Sequence, residues 1–203
     1  MLHSFEKKQG SSPNGGLIED DAGNLYGTTG SGGAFDHGVV YRLTKSGVLT
    51  VLHSFAGHRA DGASPRGGLV LLDNMLYGVT ANGGQHRQGT VFRLSTTGDS
   101  YQLLHSFKSA KGAPYWPSTG FTLAPDGWLY GVSERGGDAD GGTAYRINAA
   151  GQLRLLHSFG EKKNDGVRPM SSLLLTGQHT FHGTTDAGGV GEQGTVYKLT
   201  VTD

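Results

Sequence analysis

Leu52-His53-Ser54-Phe55 decides the fold of this chain, because the same four residues recur at 2–5, 104–107 and 156–159. Working outward from each copy, a proline follows at Pro13, Pro65, Pro117 and Pro169, with a constant spacing of 52 residues. Next comes Leu-Tyr-Gly at 25–27, 76–78 and 129–131, replaced in the last copy by Phe181-His182-Gly183. Glycine pairs follow at Gly32-Gly33, Gly83-Gly84, Gly136-Gly137 and Gly188-Gly189. Each copy closes on a β-type run at 39–43, 90–94, 143–147 and 195–199. Agreement of all these landmarks across the copies leaves no room for chance, so the chain is a fourfold tandem repeat.

Each copy reads as four short strands. The first is the apolar run after the proline, such as residues 68–72. A turn rich in Asp, Asn and Gly leads to Leu-Tyr-Gly-x-Thr, then to the Gly-Thr-Val-Tyr-Arg-Leu run, then through a second turn to a strand ending in Leu-His-Ser-Phe. Four antiparallel strands in about 50 residues make a propeller blade. A β-trefoil would need three copies, and a solenoid would need shorter, parallel ones. The expected fold is all-β: one domain over residues 1–203, a four-bladed β-propeller with blades near 13–55, 65–107, 117–159 and 169–203. The chain opens on a lone fourth strand, residues 2–5, and ends after a third strand. Pairing those termini in one blade would close the ring and remove exposed sheet edges. A fragment of a longer array and a head-to-tail dimer forming a larger ring are the other geometric options.

Composition narrows the function classes. Seventeen Lys and Arg balance seventeen Asp and Glu, which argues against general nucleic-acid binding. No run of about 18 apolar residues occurs, so nothing predicts a membrane span. Residues 1–5 lack a basic start and an apolar run, so no signal peptide is read here. Cysteine is absent, while glycine numbers 36 of 203 residues. Recurring at fixed places between apolar runs, those glycines predict many tight turns.

The unit Leu-His-Ser-Phe … Pro … Leu-Tyr-Gly-x-Thr-x-x-Gly-Gly … Gly-Thr-Val-Tyr-Arg-Leu resembles the bacterial "choice-of-anchor" tandem repeat, also called the GloVer repeat. The resemblance covers essentially the whole chain. It implies a bacterial protein, often exported and displayed at the cell surface, and it carries over no catalytic residues.

Two loop sets share one face by strand direction: 6–14, 56–66, 108–118 and 160–170 between blades, and 30–37, 81–88, 134–141 and 186–193 within them. A scaffold that repeats while its loops vary places function in the loops. Positions where one copy departs from the others are therefore the candidate site. After the constant proline stand Asn14, Arg66, Ser118 and Met170. Two residues before the third strand's glycine stand Asp36, Arg87, Asp140 and Glu192, with His37 and His86 beside the first two. In the third blade alone, Tyr115 and Trp116 precede the proline, and Arg135 and Asp138 flank the glycine pair. His182 replaces a tyrosine. The Leu-His-Ser-Phe histidines and Tyr26, Tyr77 and Tyr130 read as structural, since they repeat. Asp138-Ala139-Asp140-Gly141 matches part of a calcium loop but lacks the distal Glu.

Standard catalytic signatures are absent. The leading expectation is a ligand-binding propeller, with a carbohydrate stacked on the loop aromatics at one asymmetric site at the mouth of the central channel. The second is a polysaccharide lyase or hydrolase, with Arg66, Arg87 or Arg135 neutralising a carboxylate and His37, His86, His182 or Tyr115 as base. The third is a structural or protein-binding propeller. No cofactor or metal is called for by any motif, although a central channel can hold an ion. A monomer or simple homo-oligomer is expected.

Overall fold

The computed structural model describes residues 1–202. The chain divides into two compact units, Met1–Ser106 and Phe107–Asp203, and each contains two sheets. In the first unit one sheet runs β1 (Ser11–Glu19), β2 (Leu25–Ser31), β3 (Val39–Leu43) and β4 (Leu49–Ser54), and the next runs β5 (Gly62–Leu72), β6 (Met75–Gly83), β7 (Thr90–Ser95) and β8 (Tyr101–Ser106). In the second unit β9 (Pro114–Pro117) and β10 (Thr122–Leu123) both pair with β11 (Leu129–Gly136), followed by β12 (Thr143–Ile147) and β13 (Leu153–Ser158). Last, β14 (Gly166–Pro169) and β15 (Leu174–Leu175) pair with β16 (Thr180–Gly188), which pairs with β17 (Thr195–Thr200). All described pairings are antiparallel and follow chain order. The fold class is all-β, with four blades of the β-propeller type.

Two details differ from the sequence expectation. The first strand begins before the constant proline, at Ser11 and Gly62, and its register shifts between Asn14 and Ile18 and between Arg66 and Val70. In the third and fourth blades the same place breaks the strand in two. A proline lacks the ladder N–H, so the pairing gives way there. Residues 2–5, expected as a closing strand, carry no strand assignment. They keep a packing role. The Phe5 ring lies edge-on to Tyr41 with centroids 5.1 Å apart, as Phe55 lies on Phe92 at 5.2 Å and Phe159 on Tyr197 at 4.9 Å.

Strand alternation gives every blade two apolar faces. One face of the first blade, Tyr26, Val40 and Leu52, packs with Leu69, Leu76, Phe92 and Leu94 of the second, around Phe55. Within the second unit Tyr130, Val132 and Ala144 pack the same way with Leu173 and Phe181, around Phe159. Tyr26 and Tyr130 are thus blade-to-blade packing, as expected. The Leu-Tyr-Gly glycine has a steric cause. A Cβ on Gly78 would stand 2.6 Å from Cζ of Phe92, and one on Gly27 would stand 2.7 Å from Cζ of Tyr41. The third strand's aromatic ring lies over that backbone and tolerates no side chain beneath it.

The Leu-His-Ser-Phe histidine anchors the loop that follows it. His53 Nε2 lies 3.1 Å from Asp61 Oδ1, and the same carboxylate accepts the N–H groups of Ala56 and Gly62, each at 2.7 Å. Asp165 repeats this with the N–H groups of Gly160 and Gly166, each at 2.9 Å. In the first blade Gln9 takes the acid's place, 3.1 Å from His3. These contacts fix where those three loops start and end; in the loop after His105, Ala113 stands at the acid's position.

Candidate functional site

Two loop positions in every blade share one backbone state. Ser12, Ser64, Trp116 and Arg168, just before the constant proline, and Asp36, Arg87, Asp140 and Glu192, in the loop between the second and third strands, all have φ between 53° and 62°. A left-handed backbone at a non-glycine residue costs about 1–2 kcal/mol. The repeat imposes this geometry on every blade while leaving the side chain free to vary. It turns the side chains at these positions out of the sheet pattern and into the loop surface.

The third blade uses these positions differently from the rest. Antiparallel pairing of β9 with β11 sets Tyr115 opposite Arg135 and Pro114 opposite Gly136. The Tyr115 and Arg135 side chains converge on Asp140. The Tyr115 hydroxyl donates to Asp140 Oδ1 at 2.6 Å, the Gly136 N–H donates to the same oxygen at 2.9 Å, and Arg135 Nη1 donates to Oδ2 at 3.4 Å. Partial burial works to raise the Asp140 carboxyl. The Tyr115 hydroxyl, the Gly136 N–H and the Arg135 guanidinium outweigh it and hold the group below the usual carboxylate range. The same hydrogen bond pushes the Tyr115 phenol up. Trp116 stands edge-on to Tyr115, centroids 5.9 Å apart, and is 42% exposed. A cleft of about 400 Å³ opens beside them, lined by Ser109, Lys111, Tyr115, Gly137, Asp138 and Asp140 among others. Its walls are polar, with one aromatic side.

The structure therefore brings together Tyr115, Trp116, Arg135, Asp138 and Asp140 of the sequence candidates. Others are engaged elsewhere. Asn14 donates to the Pro65 carbonyl at 3.1 Å and accepts from Thr28 at 3.1 Å. Ser118 donates to the Pro169 carbonyl at 2.9 Å. These two tie one blade to the next. Asp36 pairs with Lys7 at 3.2 Å and holds the Gly32 N–H at 3.0 Å, the same loop-capping bond that Asp140 makes. Arg66, His86, Arg87 and His37 are exposed in the first unit, and Met170 and Glu192 are exposed in the second. His182 lies 3.1 Å from Thr176, at the turn end of β16 and away from the loop end. Lys111 and Ser109 were not singled out from the sequence. Their only signal there was membership of the blade-three loop.

A protonated, carboxylate-bound Tyr115 is a hydrogen-bond donor and a stacking surface rather than a ready base. Asp140 is already satisfied by Tyr115, Gly136 and Arg135, and no group of three His, Asp or Glu that could hold a metal ion occurs among the described residues. The site presents one aromatic wall, fixed donors and a polar floor. No helix of the described residues is long and apolar enough to cross a membrane.

Solved structures share this fold at low identity. A proposed gluconolactonase matches over 96% of this chain and 61% of its own, at 13% identity and a TM-score of 0.60. A proposed oxidoreductase of the glucose-dehydrogenase type from Thermus thermophilus matches over 97% and 64%, at 18% identity and a TM-score of 0.59. A chain of a nidogen/laminin complex matches over 93% and 65%, at 16% identity and a TM-score of 0.56. The chain thus spans less than two thirds of each of these structures. No curated protein matches the sequence. The family model described as the Gloeobacter/Verrucomicrobia repeat matches residues 1–123, more than half of the 203. With its four equivalent blades, the chain belongs to the Gloeobacter/Verrucomicrobia repeat family.

Proposed function

We propose that the blade-three loops bind a carbohydrate, neutral or acidic, and that the protein is a binding module. The observation that carries this reading is the Tyr115–Trp116 pair, an exposed aromatic step beside a polar cleft and present in one blade of the four. Sugar rings offer an apolar C–H face and a rim of hydroxyls, which an aromatic wall and fixed donors match. A cleft near 400 Å³ falls in the range of small-ligand sites, roughly 300–1,000 Å³. Lys111 in its lining and Arg135 beside Asp140 supply cations for an acidic sugar. The loops differ from blade to blade, which supports a single site over four equal ones.

A glycan array followed by calorimetry on the best ligand tests this. Trp116→Ala is expected to weaken binding about tenfold, the scale of one aromatic contact. The Tyr115→Ala, Trp116→Ala double change is expected to abolish it. Undiminished binding by the double variant overturns the proposal.

A further inference from the structure

In the first and third blades the loop between the second and third strands carries its own carboxylate. Asp36 accepts the Gly32 N–H at 3.0 Å and pairs with Lys7 at 3.2 Å. Asp140 accepts the Gly136 N–H at 2.9 Å and pairs with Arg135 at 3.4 Å. Each of these carboxylates holds one glycine N–H and one cation. The second blade builds the same loop. The Gly89 N–H donates to the Gly83 carbonyl at 3.3 Å, as Gly38 does to Gly32 at 3.0 Å and Gly142 to Gly136 at 3.1 Å. The Gln85 N–H donates to the Ser106 hydroxyl oxygen at 2.7 Å, as the Asp138 N–H does to that of Ser158 at 2.8 Å. At the capping position, with φ of 59° against 62° at Asp36 and 55° at Asp140, stands Arg87. A guanidinium has no acceptor, so Arg87 cannot make the bond to Gly83 that the acids make in those blades.

The surroundings are cationic. The second blade's two loops, residues 56–66 and 81–88, contain one carboxylate, Asp61, which is 4% exposed and taken by His53 and two N–H groups. Arg59, Arg66, His86 and Arg87 are exposed. None of the three arginines forms an ion pair among the described residues. The Gly84 N–H donates to the Asp61 carbonyl at 2.7 Å, which holds the turn bearing Arg59 against the loop of Arg87.

We propose that this loop of the second blade binds a carboxylate supplied from outside the chain. The ligand group accepts the Gly83 N–H and lies against the Arg87 guanidinium, the pairing that Asp140 makes with Gly136 and Arg135. Arg87 is exposed, so its stem turns aside to admit the ligand. A guanidinium fork matches a planar carboxylate through two parallel bonds. Arg59, on the adjoining turn, suits a second carboxylate, so the ligand class is a small di- or tricarboxylate. The site uses none of the residues of the Tyr115–Trp116 cleft.

Citrate is the probe, titrated into the isotope-labelled 203-residue protein with amide shifts read by NMR. The Gly83 amide is expected to move saturably, with a Kd on the order of 1 mM. The Gly32 and Gly136 amides, already bonded to Asp36 and Asp140, are expected to stay in place. Sulfate at equal concentration is expected to move Gly83 much less. Arg87→Gln is expected to weaken citrate binding about tenfold, the scale of one charged hydrogen bond. Arg87→Asp gives this loop the acid of the other blades, so the Gly83 amide should shift without ligand and citrate should add nothing. The Tyr115→Ala, Trp116→Ala protein is expected to bind citrate as the parent does, which separates this site from the blade-three cleft. A Gly83 amide unmoved by citrate overturns the proposal. An equal response to sulfate, undiminished binding by Arg87→Gln, or loss of binding in the blade-three double variant each overturns it as well.

Discussion

Asp61 is 4% exposed, and it receives a histidine and two backbone N–H groups. Removing the carboxylate leaves those donors buried and unpaired, so Asp61→Ala is expected to cost about 3 kcal/mol in urea denaturation. Asp61→Asn keeps part of the network and should cost less. A loss under about 1 kcal/mol for Asp61→Ala, no more than one ordinary hydrogen bond, would refute the anchoring role. Asp20 makes the clearest acid-sensitive contribution. Its carboxyl falls from 3.8 to about 2, chiefly because the Asn24 side chain hydrogen-bonds it; desolvation opposes this, and the Asn24 N–H and the Tyr26 hydroxyl assist. A carboxyl depressed on folding stabilises the protein above its unfolded value. That contribution is lost as pH falls from about 4 through about 2. Asp20→Asn should therefore flatten the acid limb of a stability-versus-pH curve in that window, and an unchanged limb would contradict the assignment.

At the scale of strands, the pairing of a small residue with a large one sets the blade spacing. Gly78→Ala drives a methyl into Phe92, with the nearest atom at 2.6 Å, whereas at Gly131 the nearest atom of Phe121 stands at 3.0 Å. Overpacking of this kind costs about 1–3 kcal/mol. Thermal unfolding should show Gly78→Ala clearly destabilised and Gly131→Ala less so, and the reverse order would contradict the steric account. A second repeated device is a hydroxyl pair joining the second and third strands, buried in the second and third blades and part-buried in the fourth. It links Thr80 with Thr90 at 2.7 Å, Ser133 with Thr143 at 2.7 Å and Thr185 with Thr195 at 2.8 Å. The first blade has Val39 there, and Thr29 instead accepts the Val39 N–H at 3.2 Å. Strands two to four were legible in the sequence because Leu-Tyr-Gly, Gly-Thr-Val and Leu-His-Ser-Phe each alternate with period two. The first strand was less so. Its start at Ser11 or Gly62 lies on the far side of a proline, where local signals read as loop, and pairing to the next strand decides otherwise. Residues 2–5 carry a strand's sequence but no strand, because a strand also needs a partner, and the motif alone does not supply one.

For the molecule as a whole, repetition separates what builds the scaffold from what varies on it. That separation singled out Tyr115, Trp116, Arg135 and Asp138 from sequence, since each breaks the pattern in the same blade, whereas Asp140 shares its acid with Asp36 of the first blade. It also drew in Asn14 and Ser118, whose side chains vary between blades and yet donate to the next blade's proline carbonyl. Variation marks a position as free of the strict repeat, and only geometry tells a loop ligand-contact from a different solution to the same joint. The Tyr115–Asp140 bond was invisible in sequence because it spans 25 residues and depends on the left-handed turn at Asp140. The most direct test of the account is to give the third blade the second blade's residues, changing Tyr115→Ala and Trp116→Ser to match Ala63 and Ser64, and to compare glycan binding and thermal unfolding with the parent protein. The account predicts loss of binding with the unfolding temperature little changed. Binding retained at parental affinity would contradict it.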